Sequence, residues 1–344
     1  MTSEKQQCDS HDDADPGADC RPGSQKSLDL EVDQQTVSGV ALDDLPDWLP
    51  AWCGDHLGSE PVDVLFQLHQ TSMVCGLRLA DGTDVVVKAR AGEGRAASCV
   101  AAQAWLAERG FPCARPLTAA AAVGSLAVHA EEFRTGGDVL PGDSPDVAVS
   151  YAEVFARLMD ELNDLTVVPP PNPRWVRWDH ADSGLWPTIE SLEVRDQNAV
   201  PAYVVDTARR VRLRLLAADL PCVLGHADFE AQNLRWHGRE VWAVHDWDSL
   251  AWQPEAALVG TASGSFSSTW APTLASIESS EAFLTRYQDT RGRLFTAAEQ
   301  EVAWAGSLWL AAHNARWEAL HGDPPVSGNA LRVQAAERLR RANA

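Results

Sequence analysis

The segment that most constrains this chain is residues 224–248, where polar residues surround one predicted β-hairpin. They are His226, Asp228, Asn233, Asp246 and Asp248. Apolar runs at 234–236 and 241–244 predict the two strands, and the His-Gly-Arg-Glu between them predicts the turn. This hairpin would bring two carboxylates and an amide oxygen to one edge. Such hard oxygen ligands suit Mg²⁺, and one carboxylate would remain as a base. The alternative is a polar loop in which Asp and Asn only cap turns.

The order of these residues resembles the catalytic loop and metal-binding aspartate of the aminoglycoside phosphotransferase family, which are small-molecule kinases with a protein-kinase-like fold. In protein kinases, a catalytic-loop Asp accepts the proton of the substrate hydroxyl, and the loop Asn and a later Asp hold Mg²⁺ on the ATP phosphates. The resemblance therefore implies that Asp228 is the catalytic base and that Asn233 and Asp246 are metal ligands. The family usually has Gly where this chain has Ala227.

One lysine stands out because lysine is rare here. The chain has three lysines (Lys5, Lys26 and Lys88) against 25 arginines, and Lys88 ends the predicted strand 84–88. The family's phosphate-contacting lysine also lies on the third strand of its sheet. The resemblance therefore implies that Lys88 contacts the nucleotide. The alternative is a lysine at a strand end that reaches solvent.

This chain departs from the pattern of the family at three places. The family has a Glu early in the helix after the lysine strand, where this chain has Cys99 or Gln103, with Glu93 upstream as a possible substitute. The loop between the first two strands is not rich in glycine. The aspartate that anchors the catalytic loop in the family is either absent or moved to Glu255.

A strand at 126–133 is followed by a loop with two glycines, and this resembles the hinge that binds adenine through its backbone. By that resemblance the carbonyl of Glu132 and the N–H of Arg134 would contact the nucleotide base. The segment 175–182 combines tryptophan with acidic residues. It could line a substrate cleft through cation–π and carboxylate contacts, or it could simply pack over the helices.

Composition excludes several classes of protein. The formal net charge is −21, and residues 1–60 contribute −11 of it through 14 acidic and 3 basic residues. An acidic chain lacks the Lys/Arg contacts on which nucleic-acid affinity depends, so no nucleic-acid partner is expected. The charge is compatible with a cationic substrate, although solubility explains it equally well. The seven scattered cysteines, the absence of an apolar leader and the lack of a membrane-length apolar run predict a soluble cytoplasmic protein without a membrane partner.

These features together predict an α+β, bilobal protein-kinase-like fold. Residues 1–38 are expected to be a disordered acidic tail, 39–131 a small antiparallel-sheet N-lobe, and 132–344 a larger helical C-lobe. The predicted cofactors are ATP and Mg²⁺, and the predicted partner is a small-molecule substrate with a hydroxyl group, such as an aminoglycoside-like compound, an amino alcohol or a sugar.

The expected function is transfer of the γ-phosphoryl group of ATP to that hydroxyl. Two alternatives remain open from the sequence. The departures would suit a non-catalytic nucleotide-binding pseudokinase. The His-x-Asp and His-Asp-x-Asp pairs, taken alone, would suit a metal-dependent hydrolase.

Overall fold

The N-terminal part of the molecule is one antiparallel sheet. The computed structural model describes residues 41–69, 72–91, 94–269 and 272–344. The predicted tail 1–38 lies outside these ranges, as does Glu93. The sheet has the spatial order β1-β2-β3-β5-β4, all neighbours antiparallel. Its strands are β1 (Pro61–His69), β2 (Met73–Leu79), β3 (Asp84–Ala91), β4 (Ala121–Val123) and β5 (Leu126–Glu132).

Strand alternation gives the sheet two different faces. Val85, Val87 and Ala89 of β3 join the apolar cluster of α1 (Trp48–Leu57), which covers one face. The intervening residues, including Lys88 and Arg90, therefore lie on the other face, because successive side chains of a strand alternate. Helix α2 (Ala96–Glu108) follows β3. The buried strand β3 thus combines an apolar face with one that presents cations.

The C-terminal part is mainly helical. Its helices are α3 (Pro145–Leu162), α4 (Glu190–Glu193), α5 (Ala202–Leu216), α6 (Glu255–Ser265), α7 (Ile277–Arg291), α8 (Ala297–His321) and α9 (Val326–Arg341). Two short antiparallel pairs are inserted between α5 and α6. Strand β6 (Cys222–His226) pairs with β9 (Leu250–Pro254), and β7 (Leu234–His237) pairs with β8 (Glu240–Val244). Of the helices described, none is both long and apolar enough to cross a membrane.

Most of the predicted elements are present. The hairpin turns at Gly238, whose φ of 63° suits glycine. The Thr-Ala-Ala-Glu pattern at 296–299 predicts a capping box, and in the structure Thr296 and Glu299 form it at the start of α8, which ends before Gly322. Strands β4 and β9 and helix α6 were not predicted from the sequence. Strand β9 and helix α6 are largely buried apolar runs, in which neither helical nor strand periodicity is visible.

Helices α6 and α8 cross at very short range through glycine. A methyl group added at Gly260 would lie 1.9 Å from the backbone oxygen of Ala303, and one added at Gly306 would lie 2.6 Å from that of Ala257. Both neighbours are backbone atoms, which cannot move aside like a flexible side chain. Helix α6 directly follows β9, which pairs with β6. The close crossing with α8 therefore fixes the helix that supports the β6–β9 pair.

We expect Gly260→Ala to lower the free energy of unfolding by about 2 kcal/mol or more, because the new methyl group must push the two helices apart. Gly54→Ala in α1 is the matched control. Its Cβ would meet Glu60 Cγ at 3.6 Å, an ordinary contact. The control should be neutral or stabilising by up to about 1 kcal/mol through helix propensity. Urea denaturation of both variants measures the difference, and equal stability would contradict the close crossing.

Candidate active site

Two strand pairs bring the polar loops together. His226 at the end of β6 is opposite Leu250 at the start of β9, and Leu234 at the start of β7 is opposite Val244 at the end of β8. The loop 227–233 and the segment 245–249 therefore connect the same two pairs. As the hairpin pattern predicted, the structure brings Asp228, Asn233 and Asp246 to this one place.

A buried histidine ties the loop to the segment. His226 is fully buried, and its Nδ1 accepts a hydrogen bond of 3.2 Å from the backbone N–H of Asp228. Nε2 must then carry the ring proton, which it donates to the backbone oxygen of His245 at 3.1 Å. Burial lowers the pKa of His226, so the ring is neutral. A neutral imidazole in one tautomer thus links both halves of the site.

Asn233 holds the carboxylate of Asp228. Its Nδ2 donates to the backbone oxygen and to Oδ2 of Asp228, both at 2.9 Å. The backbone N–H of His245 donates to the backbone oxygen of Asn233 at 2.8 Å. Because Nδ2 serves Asp228, Oδ1 of Asn233 is the atom of this amide that can accept from a cation.

Asp246 occupies a left-handed backbone conformation, with φ 58° and ψ 50°. Few non-glycine residues adopt it, although Asp tolerates it better than most. Its Oδ2 accepts a hydrogen bond of 2.5 Å from Ser249 Oγ. The unusual backbone and this bond together orient the Asp246 carboxylate.

The carboxylates of this loop are crowded. Burial and the negative charge of Asp246 raise the pKa of Asp228 from 3.8 to about 7, against the hydrogen bond from Asn233. Glu230, only 3% exposed, accepts a bond of 2.8 Å from Gln232 Nε2. Burial and Asp228 raise the pKa of Glu230 well above its usual value. The site therefore favours a proton or another cation among these groups.

The N-terminal sheet contributes a buried cation. Lys88 Nζ lies 2.8 Å from Glu131 Oε1, and both side chains are at most 10% exposed. The second oxygen of Glu131 accepts a bond of 2.8 Å from Gln103 Nε2. Lys88 thus has a carboxylate partner on β5, whereas Cys99 and Gln103 occupy helix α2.

Contacts between the two parts of the chain place the sheet cations beside the loops. Arg90 forms an ion pair with Asp248, and Arg95 donates to the backbone oxygen of Asp248. Burial and the positive charge of Lys88 lower the pKa of His245 to about 3. The strand that carries Lys88 is thus joined to the segment that carries Asp246.

Of the predicted hinge residues, Glu132 is the last residue of β5 and Arg134 follows two residues later. The Glu132 carboxylate accepts from Arg115 Nε at 2.9 Å, and the Glu132 backbone N–H donates to Arg115 O at 2.9 Å. Arg134 Nη1 donates to Cys113 O at 3.1 Å, and its guanidinium lies 4.4 Å from the centre of the Trp242 ring. Asp138 then pairs with Trp236 of β7. The hinge segment is thus attached to the hairpin that carries the site.

The tryptophan-rich segment 175–182 packs on α5. Arg212 donates from Nε to Trp178 O at 2.7 Å, and Trp178 is 6% exposed. Asp182 accepts from the Thr188 N–H at 2.7 Å and from Arg174 at 3.1 Å. These contacts support the packing alternative for this segment, since its buried tryptophan and paired carboxylate are already used.

Glu255 does not take over as the loop anchor. Its carboxylate accepts from Tyr287 Oη at 2.6 Å and from Arg293 Nη2 at 2.7 Å, at the start of α6. The loop is instead held by main-chain contacts: Ala227 N donates to Ser249 O at 2.9 Å, and Gln232 N donates to Ser268 O at 3.3 Å.

Three charged residues of the site were not singled out from the sequence: Glu131, Arg90 and Glu230. Glu131 and Arg90 lie within strands, where burial on both faces makes an interior charge costly unless it is paired. The sequence signal for both was therefore a charge inside an otherwise apolar strand. Glu230 lies inside the motif itself, two residues after Asp228.

The five-stranded antiparallel sheet followed by a mainly helical part defines the protein-kinase-like class of fold that the sequence predicted. The chain belongs to the phosphotransferase enzyme family (APH), whose model matches residues 77–295. The matched region includes Lys88 and the whole segment 224–248. No protein with a curated description matches the chain by sequence.

Several solved structures share this fold. An amicoumacin kinase in complex with AMP-PNP, Ca²⁺ and its ligand has a TM-score of 0.57 and 13% identity, covering 81% of this chain and 89% of its own. An aminoglycoside phosphotransferase with ADP and hygromycin B has a TM-score of 0.54 and 15% identity, covering 86% and 99%. A spectinomycin phosphotransferase with ADP and spectinomycin has a TM-score of 0.53 and 10% identity, covering 85% and 93%. At these identities the likeness establishes the fold.

We expect Asp228→Asn to raise the stability of the nucleotide-free protein at pH 8 by about 2 kcal/mol. Because the pKa of Asp228 is raised to about 7 in the folded protein, its ionisation costs stability. This cost grows as the pH rises from about 4 to 7 and stays constant above 7, whereas the amide has no such cost.

Asp182→Asn is the control of opposite sign. The Thr188 N–H and Arg174 lower the pKa of Asp182 in the folded protein. The ionised Asp182 therefore stabilises the fold at every pH above the usual pKa of an aspartate. This variant should lose stability at pH 8. Urea denaturation between pH 4 and 8 compares the two, and a loss of stability in Asp228→Asn at pH 8 would contradict the crowding of carboxylates.

Proposed function

We propose that this protein transfers the γ-phosphoryl group of ATP to a hydroxyl group of a small molecule. The observation that carries the proposal is the meeting of Asp228, Asn233 and Asp246 at the ends of two strand pairs, to which the strand that carries Lys88 is joined by the ion pair of Arg90 with Asp248. Phosphoryl transfer needs this combination of a base, oxygen ligands and a cation, because its catalysis is mostly positioning and charge stabilisation.

Asp228 is the proposed base. Its pKa of about 7 lies near neutral pH, where a general base combines a sufficient ionised fraction with sufficient basicity. Asn233 fixes one of its oxygens through Nδ2 at 2.9 Å, which leaves Oδ1 to accept the proton of the acceptor hydroxyl. In this role Asp228 orients the hydroxyl towards the phosphoryl group and removes its proton as the new bond forms.

Asn233 and Asp246 are the proposed metal ligands. Asn233 offers Oδ1 because its Nδ2 is engaged with Asp228, and Asp246 offers Oδ1 because its Oδ2 accepts from Ser249. Mg²⁺ is usually held by one or two protein oxygens together with substrate phosphates and water, so this donor set fits it. When bound, Mg²⁺ would neutralise charge on the phosphate oxygens of ATP.

Lys88 is the proposed contact of the ATP phosphates. A cation there would offset negative charge opposite the loop that carries Asp246. The hinge would bind adenine through the Glu132 carbonyl and the Arg134 N–H. This assignment also places the lobe boundary near residue 132, with 39–131 as the nucleotide-binding lobe and 132–344 as the catalytic lobe.

The acceptor is proposed to be a hydroxyl-bearing small molecule of the kinds named above. The relatives with this fold carry amicoumacin, hygromycin B or spectinomycin in their structures. A cationic acceptor remains a prediction from the net charge. Asp182 does not support a cationic acceptor, because it is already paired with Arg174. Glu230 supports it, because its buried carboxyl group lies two residues from Asp228.

A second candidate is a protein that binds ATP without catalysis. The absence of a carboxylate at Cys99 and Gln103 of α2 favours it, since the family places there the partner of its lysine. The hydrolase alternative has less support. In the described part of the chain, no group of three or more His, Cys, Asp or Glu side chains could hold a metal.

We expect Asp228→Asn to retain the affinity for Mg·ATP within about threefold and to lower kcat by about 10²–10⁴-fold, because only proton transfer is lost. Asp246→Asn should weaken both nucleotide binding and turnover, because a metal ligand is lost. Calorimetric titration of Mg·ATP, with EDTA as the metal-free control, measures the binding. Equal loss of metal-dependent binding in both variants would contradict these roles.

The acceptor is tested with a panel of aminoglycosides, amino alcohols and neutral sugars, each assayed for phosphorylated product by mass spectrometry. If the site attracts cations, kcat/KM for a cationic acceptor should fall several-fold between low and high ionic strength, since salt screens the attraction. A neutral sugar as best acceptor, with no salt dependence, would contradict a cationic substrate. Nucleotide binding without product from any member would favour the second candidate.

A further inference from the structure

The side of the sheet that faces the loops carries a carboxylate within reach of Lys88. Lys88 lies directly opposite His129 in the β3–β5 register, and Glu131 lies opposite Val86. Lys88 and Glu131 are therefore diagonal neighbours on one face, a separation that two long side chains can bridge. The observed distance of 2.8 Å between Lys88 Nζ and Glu131 Oε1 shows that they do.

Helix α2 contributes a neutral group to the same cluster. Gln103 is 1% exposed, and its Nε2 donates to Glu131 Oε2 and to Ala114 O, both at 2.8 Å. Each oxygen of Glu131 thus has one partner, Lys88 on one side and the helix on the other. The three side chains form a chain in the order Lys88, Glu131, Gln103.

We propose that Glu131 is the residue that positions Lys88 for the nucleotide phosphates, and that Gln103 holds Glu131 in place. The inference rests on the proposed function and extends it to two residues. In the family resemblance this task belongs to a glutamate on the helix. Here the negative charge lies on β5, and the helix supplies a hydrogen-bond donor.

The surroundings of the pair fit this role. Burial and Lys88 lower the pKa of His129 to about 3, so this imidazole, which lies 3.9 Å from Glu131, is neutral and does not compete with Lys88 as a cation. A buried ammonium without a counter-charge would be costly, and the ion pair with Glu131 offsets part of this cost. Because both partners lie on adjacent strands, a rotation of α2 would break the bond from Gln103 without separating Lys88 from Glu131.

The first experiment measures nucleotide binding and turnover. We expect Glu131→Gln to weaken Mg·ATP affinity at least tenfold. In the double variant Gln103→Glu/Glu131→Gln, the carboxylate moves to the helix and the net charge is kept. The new amide at position 131 can donate to the new carboxylate at position 103, so the contact between the two side chains is kept in the opposite direction, and only the bond to Ala114 O is lost. This double variant should recover at least a third of the Mg·ATP affinity that is lost in Glu131→Gln. Asp84→Asn, which removes the exposed partner of Arg78 on the same sheet, is the matched control and should stay within twofold.

A second readout needs no nucleotide. Because the chain has three lysines, acylation of Lys88 by an amine-reactive ester can be followed by mass spectrometry, with Lys5 and Lys26 as references within the same chain. Loss of the ion pair frees the amine to react, so Glu131→Gln should raise the relative rate at Lys88 several-fold. The double variant should return the rate towards that of the unaltered protein.

The outcomes separate this inference from the proposed function. If the unaltered protein binds no Mg·ATP, the proposed function fails, while the acylation rates still test whether Glu131 holds Lys88. If Glu131→Gln leaves both the affinity and the acylation rate unchanged, or lowers only the melting temperature, the positioning role is overturned. Should Glu131→Gln fail to fold, Glu131→Asp takes its place. It keeps the charge but shortens the reach, and unchanged affinity in it would equally overturn the proposal.

Discussion

The candidate site depends on one buried imidazole. His226 has a protonated Nε2 and an unprotonated Nδ1, and each atom binds the backbone of a different segment. One segment carries Asp228 and the other carries Asp246. A protonated ring would have two donors and no acceptor for the Asp228 N–H, so the neutral state that burial imposes is also the state that joins the segments. The main-chain bonds from His245 N to Asn233 O and from Ala227 N to Ser249 O join the same two segments, and the imidazole adds the side-chain link between them.

Holding the carboxylates together costs electrostatic energy. Glu230 is buried and Asp228 and Asp246 are partly buried, and the raised pKa values of Asp228 and Glu230 express that cost. The rest of the structure offsets part of it. Hydrogen bonds from Asn233 and Gln232 satisfy individual oxygens. The remaining excess of negative charge favours binding of a cation, as the proposed binding of a metal–nucleotide complex requires.

The N-terminal sheet shows how a departure from a motif can be compensated elsewhere. Glu131 of β5 reaches Lys88 directly, and Gln103 of α2 reaches the other oxygen of Glu131. The helix position holds Gln103, and the charge lies at Glu131 on β5. Arg90 and Asp248 make a second contact between sheet and loops. A missing glutamate on α2 is therefore not sufficient reason to infer a lysine without a partner.

The sequence alone determined the parts of this protein whose signals are local. The hairpin was predictable because its turn and alternating strands lie within about twenty residues, and its ends bring Asp228, Asn233 and Asp246 together. The rarity of lysine singled out Lys88, and the capping box located the start of α8. Tertiary structure decided the rest: that Glu131 meets both Lys88 and Gln103, that Glu255 binds Tyr287 and not the loop, and that segment 175–182 packs on α5. These contacts join residues far apart in the chain, and they depend on which faces of strands and helices meet. Many pairings satisfy a local pattern equally well, and only packing of the whole chain selects one.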